Sequence, residues 1–249
     1  MTEAAAIPFA RSKERCWEIF RRSYPDYVAP DERYGRAIDA ALRADLPVLD
    51  AGCGRRMEFA RRLAPRAQGA VAFDYGRERA ALAGEKVLPV CGDLAKIALR
   101  DASVGTIVTR SVLEHLERPD EVFREFARVL APGGAIVAMA PNLFDYASIV
   151  SRLTPHSFHE WLVPRVTGSA EEDVFPTFYR ANTRGGLRRL AEDAGLRVER
   201  IETFCQYPVY LMFSPWLFRL GVAYEKLLSR HESLAGLRGW LLAVLRKPQ

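Results

Sequence analysis

The sequence predicts an α/β protein built on a doubly wound, mostly parallel sheet of seven strands, with a helical segment at its N-terminus. Three observations carry this prediction. Short apolar runs recur along the chain, and most are apolar throughout rather than alternating, as strands covered on both faces are. Segments with helical spacing separate them. Glycines or acids follow several of the runs directly, which is where open α/β sheets bind their ligands. The 249 residues suffice for one substantial domain or two small ones.

Taken in order, residues 13–24 and 31–44 read as helices separated by Tyr-Pro-Asp and Ala-Pro breakers. Residues 47–51 form the first apolar run and end in a glycine pair, Gly52 and Gly54. A helical stretch with Phe59, Ala60 and Leu63 on one face follows. Residues 69–74, 87–93 and 105–109 are the next three strands. Asp120 is placed to cap a helix whose apolar face is Val122, Phe126, Val129 and Leu130, with Pro132-Gly133-Gly134 as its stop. Residues 135–140 give a fifth strand. Asn182 or Thr183 opens a helix that Gly195 closes, and residues 196–204 give a sixth strand. The tail, residues 239–247, looks amphipathic but reads as a seventh strand returning to the sheet. The gap at about 208–238 is too long for a bare loop, which predicts helix around residues 217–228. The expected organisation is a helical segment over 1–44 and a main domain over 45–249, with a lid insertion at about 142–182 and an apolar insertion at about 208–238.

Composition narrows the function classes. Apolar residues make up 49% and charged ones 27%, which excludes disordered and fibrous chains. Four scattered cysteines form no CxxC pair, which argues against a disulfide framework or structural zinc and for a reducing compartment. The net charge of +5 suits anionic groups such as phosphates or headgroups, but no basic run marks a nucleic-acid surface. The N-terminus lacks the apolar core of a secretory signal, so the expected location is cytoplasmic, with peripheral contact at the inner face of a membrane left open.

The chemistry centres on Val48-Leu49-Asp50-Ala51-Gly52-Cys53-Gly54. A buried strand delivers the chain to a tight turn, the glycines admit close approach of a ligand, and the helix behind presents free N–H groups. Asp74, twenty residues after Gly54, ends the second strand, where a carboxylate can accept from both hydroxyls of a ribose. Asp93 ends the third and can reach an adenine amino group. The dinucleotide pattern GxGxxG is not met, because Met57 stands at the third glycine.

With DxGCG at 50–54, VLEHL at 112–116 and LxPGG at 130–134, the chain resembles class I S-adenosylmethionine-dependent methyltransferases of a broad bacterial type over roughly residues 45–205. The resemblance implies a Rossmann-like methyltransferase fold, S-adenosylmethionine as cofactor and S-adenosylhomocysteine as product. It implies Asp50, Gly52 and Gly54 at the amino-acid end of the cofactor, Asp74 at the ribose, Tyr75 as a further cofactor-binding residue, Asp93 and Leu94 at the adenine, and Arg110 and Ser111 beside the methionine portion and the sulfonium. The departure is Arg56, where these proteins commonly have a further glycine; it points outward or reaches the cofactor carboxylate.

Methyl transfer to a hydroxyl needs alignment and proton removal. His156 and His159, in the lid, are the first candidates for the base, followed by His115 and Tyr179. Tyr146, Phe158, Trp161 and Arg180 are the candidates for holding the acceptor. Glu114 and His115 lack the acid that would complete a three-residue cluster, since Ser111 stands in the earlier position, so no metal is assigned. The expected reaction is methylation of an oxygen, before nitrogen or carbon, on a small-molecule or lipid-linked acceptor. The rival is a non-catalytic module of the same fold that docks a partner. A nucleic-acid methylase of the Asn-Pro-Pro-Tyr type is disfavoured, because Arg110-Ser111-Val112-Leu113 follows the fourth strand. Residues 207–219 are unusually apolar for a connection, and packing inward, dimerisation and contact with a membrane surface are all open, in a monomer or a homodimer.

Overall fold

The computed structural model describes residues 3–76, 84–146, 148–149 and 176–249, and side chains from residue 11 onward. Seven strands, β1 (Val48–Ala51), β2 (Ala70–Asp74), β3 (Val87–Cys91), β4 (Val104–Arg110), β5 (Leu130–Pro141), β6 (Arg197–Phe204) and β7 (Trp240–Arg246), form one sheet in the order β3-β2-β1-β4-β5-β7-β6. β1 pairs in parallel with β2 on one side and β4 on the other, so the strand order reverses around β1. β2–β3 and β4–β5 are parallel as well. β7 runs antiparallel to β5: Gly133 N–H donates to the Lys247 carbonyl at one end, and Asn142 N–H to the Gly239 carbonyl at the other.

Position in the sheet explains composition. The inner strand β1 is buried along its whole length, and β4 up to its last residue. The edge strand β3 exposes Leu88 and tolerates Pro89, whose missing donor would cost a ladder bond in a central strand. The other edge, β6, exposes Arg197, Glu199 and Arg200, half-buries Val198 and Ile201, and buries Thr203 and Phe204 at its end.

Helices α1 (Glu3–Ser23), α2 (Pro30–Ala41), α3 (Glu58–Leu63), α4 (Pro119–Val129), α5 (Arg184–Asp193) and α6 (Pro215–Arg230) complete the described elements, with short 3-10 turns between them. Thr183 caps α5 by accepting from Gly186 N–H at 3.0 Å, as the sequence predicts, and Gly195 follows with φ +75°. Asp120 does not cap α4. The cap position is Arg118, which makes no side-chain cap bond, Pro119 opens the helix, and Asp120 pairs along the helix with Arg124. Leu130 belongs to β5 rather than to the helix, because Val104 recruits it as a ladder partner before the register shifts at Thr106↔Ala135. Pro132-Gly133-Gly134 therefore lies within the strand's span.

The chain divides into two compact units. The larger comprises residues 31–141, 176–202 and 241–249, and holds most of the sheet. Its core joins Leu49, Phe73, Ile107 and Ile136 of the strands to Phe123 and Phe126 of α4 and Leu187 of α5. The smaller comprises residues 1–30, 142–175 and 203–240. In it, Cys16 of α1 packs with Met212, Phe218 and Val222, flanked by Trp17, Phe20, Tyr24 and Tyr207. Of the apolar stretch 207–219, Met212 and Phe218 thus turn inward, while Phe213 and Trp216 stay exposed.

Candidate functional site

The site begins where β1 leaves the sheet. Gly52 takes φ +78°, and a Cβ there would lie 2.3 Å from Val112 Cγ2, so the turn runs hard against the segment after β4. Gly54 has φ +60° and open space around it. Two carboxylates lace this turn from the strand ends. Asp74 Oδ2 accepts from Gly54 N–H at 2.8 Å, and Asp50 Oδ2 accepts from Ala60 N–H in α3 at 2.9 Å. Met57 sits at φ 48° directly before α3 with its side chain fully buried, a left-handed conformation that glycine takes without strain.

A cleft of about 170 Å³ opens here, lined by Asp50, Gly52, Cys53, Arg56, Glu58, Phe59, Arg110 and Ser111. Asp50 is buried, and that burial pushes its carboxyl up to about 7 against the opposing Ala60 hydrogen bond, with Asp74 and Glu58 adding to the rise. Arg110 enters from the end of β4. Its Nη2 pairs with Asp31 of α2 at 2.6 Å, and its buried Nε has no partner among the described residues. Ser111 has φ 52° and donates its N–H to the Met139 carbonyl, which fixes the turn out of β4. The wall is backed by Tyr34, whose ring meets Phe59 edge-on at 5.1 Å and whose hydroxyl donates to the Val137 carbonyl.

Asp50, Gly52, Arg110 and Ser111 are therefore brought together on one cleft, with Gly54 and Asp74 tied to its turn. Asp74 Oδ1 also accepts from Tyr75 N–H at 2.6 Å, while the Tyr75 side chain is exposed. Asp93 accepts from Ala95 N–H and lies 3.5 Å from Arg118, and Leu94 packs at the edge of the core. Glu58 and Tyr34 are not singled out by sequence, and Cys53 and Phe59 only as part of the glycine turn and of the helix face after it. Cys53, Glu58 and Phe59 follow from the turn itself, since they flank its glycines. Tyr34 lies in a separate helix, and nothing local marks it.

His115 and Tyr179 meet away from the cleft lining. Glu114 accepts through its carbonyl from both Phe178 N–H and Tyr179 N–H, at 2.7 and 3.1 Å, and His115 Nδ1 lies 2.8 Å from the Pro176 carbonyl. Burial pushes the Glu114 carboxyl up to about 7. Arg180 donates to the Glu117 carbonyl and stacks over Phe178. The returning segment 176–180 is thus pinned to residues 114–117. Among the described residues, no group of three or more His, Cys, Asp and Glu could hold a metal. Tyr146 lies in the smaller unit, edge-on to Tyr224 at 6.0 Å. His156, His159, Phe158 and Trp161 lie outside the described residues.

Residues 49–138 match the family model of a methyltransferase domain. A probable S-adenosylmethionine-dependent methyltransferase of Mycolicibacterium smegmatis is 34% identical over 116 residues, which is 45% of this chain and 44% of the relative. The chain thus spans less than half the length of that curated relative. A putative methyltransferase from Bacillus halodurans superposes with a TM-score of 0.54 at 17% identity, over 87% of this chain and 99% of that one. A putative methyltransferase from Haloferax volcanii, solved with the Trm112 activator, gives a TM-score of 0.56 at 17% identity, over 97% and 98%. These likenesses bear on the fold.

Proposed function

We propose that the protein, whose residues 49–138 match the model of a methyltransferase domain, is a class I S-adenosylmethionine-dependent methyltransferase that transfers the methyl group to a hydroxyl of a small-molecule or lipid-linked acceptor. The observation that carries the reading is the cleft beside Gly52. It sets acids, Asp50 and Glu58, and guanidiniums, Arg56 and Arg110, around one small volume. That is the charge pattern an α-amino acid zwitterion needs, and the unpartnered Nε of Arg110 is a donor in waiting. A volume of about 170 Å³ suits one end of a cofactor rather than the whole.

The bound cofactor supplies an electrophilic methyl on a sulfonium sulfur, leaving as S-adenosylhomocysteine. The chain's own residues bind and orient. Asp74, whose oxygens accept from Gly54 and Tyr75 N–H, is proposed to hold the ribose hydroxyls. Asp93 and Leu94 take the adenine end. Arg110 and Ser111 flank the methionine portion, and Arg56 reaches its carboxylate. His156 and His159 remain the candidates for the proton acceptor, with His115 and Tyr179 held in reserve by their ties to 176–180. Tyr146, Phe158, Trp161 and Arg180 are proposed to hold the acceptor.

Calorimetric titration with S-adenosylhomocysteine tests the reading. Binding near the micromolar range, about −8 kcal/mol, should weaken by about tenfold or more in Asp74→Ala. No binding to the native chain would overturn it in favour of a docking module of the same fold.

A specific observation favours a lipid-linked acceptor presented at an anionic surface. No described helix is long and apolar enough to cross a membrane. On α6, however, Trp216, Leu220 and Leu227 are 64%, 50% and 49% exposed, with Phe213 just before them. Arg219 and Arg230 are exposed on the same helix, while its one acid, Glu225, is buried. An apolar stripe rimmed by cations fits a headgroup boundary. Vesicles of 30% anionic lipid should sediment the protein, and Trp216→Ser with Leu220→Ser should abolish this. Equal sedimentation by neutral vesicles, or none by either kind, would remove the surface from the account.

A further inference from the structure

Arg110 lines the cleft, but the acid that holds its guanidinium does not. The backbone of Arg110 is fixed by the sheet: it stands opposite Met139 of β5, and the next N–H, that of Ser111, donates to the Met139 carbonyl. The side chain beyond it is long and flexible. Its Nη2 lies 2.6 Å from Asp31 Oδ1. The same guanidinium carries Nε, which is buried and has no hydrogen-bond partner among the described residues. Asp50, on the same cleft, has its Oδ2 on Ala60 N–H instead. Asp31 stands in the first turn of α2, within the larger unit and upstream of the residues that match the methyltransferase model.

Two ordinary tasks are open to Asp31, and neither accounts for this arrangement. As a stabilising ion pair it counts for little, because the Asp31 side chain is 61% exposed and water weakens so open a pair. As an acid at the N-terminus of α2 it favours the helix dipole, a task that Glu32 shares. What remains is a buried, unpaired Nε on a residue of the cleft wall, and buried donors are paired almost without exception, with protein, water or ligand. A guanidinium presents its N–H groups in one rigid plane, so anchoring Nη2 also fixes the direction of Nε. A ligand carboxylate in the cleft then meets a donor that is already oriented.

We propose that Asp31 is a positioning residue for the cofactor: by holding Arg110 Nη2 it aims Nε at the carboxylate of the methionine portion, and so sets the affinity for the amino-acid end alone. This rests on the methyl-transfer reading and deepens it. Asp31 acts through Arg110, not on the ligand. Without Asp31 the guanidinium is free to move among rotamers, and the ligand itself must order it, which lowers affinity. A nucleoside with no α-carboxylate gives Nε nothing to hold, so it gains nothing from Asp31.

The test is calorimetry on the full chain with S-adenosylhomocysteine and with 5′-methylthioadenosine, which keeps the adenosine and the thioether but lacks the amino-acid end. Asp31→Asn should weaken S-adenosylhomocysteine by about tenfold and leave 5′-methylthioadenosine unchanged. Asp31→Glu, which keeps the charge, should restore part of the loss. In an Arg110→Met background, Asp31→Asn should have no further effect on either ligand. Melting curves of the Asp31 variants should lie close to that of the native chain. Equal losses for both ligands would make Asp31 a support of the fold only. An unchanged affinity for S-adenosylhomocysteine would make the pair incidental, and a tighter one would make Asp31 a competitor of the ligand. A loss that persists in Arg110→Met would route the effect elsewhere. Each of these overturns the proposal while the native chain still binds S-adenosylhomocysteine. Failure of the native chain to bind it sinks the methyl-transfer reading, and the role of Asp31 with it.

Discussion

The two units use buried acids in opposite ways. In the sheet unit, Asp50 is tied down: it sits in a central strand, accepts from Ala60 N–H, and so fixes where α3 begins. In the smaller unit, Glu225 has one oxygen on a thiol and one without a partner among the described residues. Burial drives both carboxyls up to about 7. The shift alone therefore does not separate an acid tied to the backbone from one that is not. What separates them is the donor count around each oxygen. The Asp50 hydrogen bond is local, within ten residues of chain, whereas the Glu225 centre is assembled from residues about two hundred apart.

The largest effect should come from breaking the sheet unit at its tightest point. Gly52→Ala places a methyl 2.3 Å from Val112 Cγ2 at a φ of +78°. Steric overlap and backbone strain together should cost about 3 kcal/mol or more and abolish binding of S-adenosylhomocysteine. Adding Val112→Ala removes the overlap and should return all but about 1–2 kcal/mol, the strain of a side chain at positive φ. Melting curves and calorimetry on the single and double variants check this. A double variant no better than the single would mean that the turn is held by something other than its contact with Val112.

The same contrast explains what the sequence made legible. The sheet unit announces itself locally: β1, the glycine turn and Asp74 lie within one βαβ span, and each strand's run of apolar residues follows from burial on both faces. The tail at 239–247 was readable as β7 because its apolar run is continuous. Local signals mislead where strand pairing or a neighbouring residue overrides them. Leu130 has helical spacing but is claimed by Val104, and Asp120 has capping chemistry but lies one residue past Pro119, which opens the helix. Tyr146 is legible as an acceptor candidate, but Tyr24, Cys205 and Glu225 of the smaller unit are not, since no spacing rule relates them. The aromatic pattern in 207–219 was visible, but its division into an inward and an outward half depends on α1 supplying Cys16, Trp17 and Phe20.

An intermediate effect sharpens the comparison through pH. The folded-state carboxyl of Glu225 lies near 7, above its unfolded value of 4.5. Its contribution is therefore fully present below about pH 4.5 and is lost as pH rises through 7. Asp145, Cys205, Ser229, Tyr24, Tyr224 and Arg238 surround it, and none of them supplies a second partner for Oε2. Glu225→Gln removes the ionisation, so the variant should be more stable than the native chain at pH 8, by on the order of 2 kcal/mol, and no more stable at pH 4.5. Denaturant unfolding at the two pH values measures this. A variant that is less stable at pH 8 would mean that the ionised carboxylate is paired in solution.

The smallest effect is the most discriminating for the cofactor cleft. Gly54 and Gly195 share a backbone conformation, φ +60° and +75°, and a Cβ at either meets nothing within 4 Å. Ala at each should cost the same strain, about 1 kcal/mol of stability. The two positions differ only in what a ligand would bring. Gly195 ends α5, away from the cleft lining, and Gly195→Ala should leave binding of S-adenosylhomocysteine unchanged. Gly54 keeps its N–H bond to Asp74 as alanine, so any loss of affinity beyond the shared strain reports a ligand pressed against that Cα. A drop of about tenfold in Gly54→Ala, with none in Gly195→Ala, would place the cofactor on the turn itself. Equal behaviour of the two would confine the cofactor's contacts to the side chains of the cleft, Arg56 and Arg110 foremost among them.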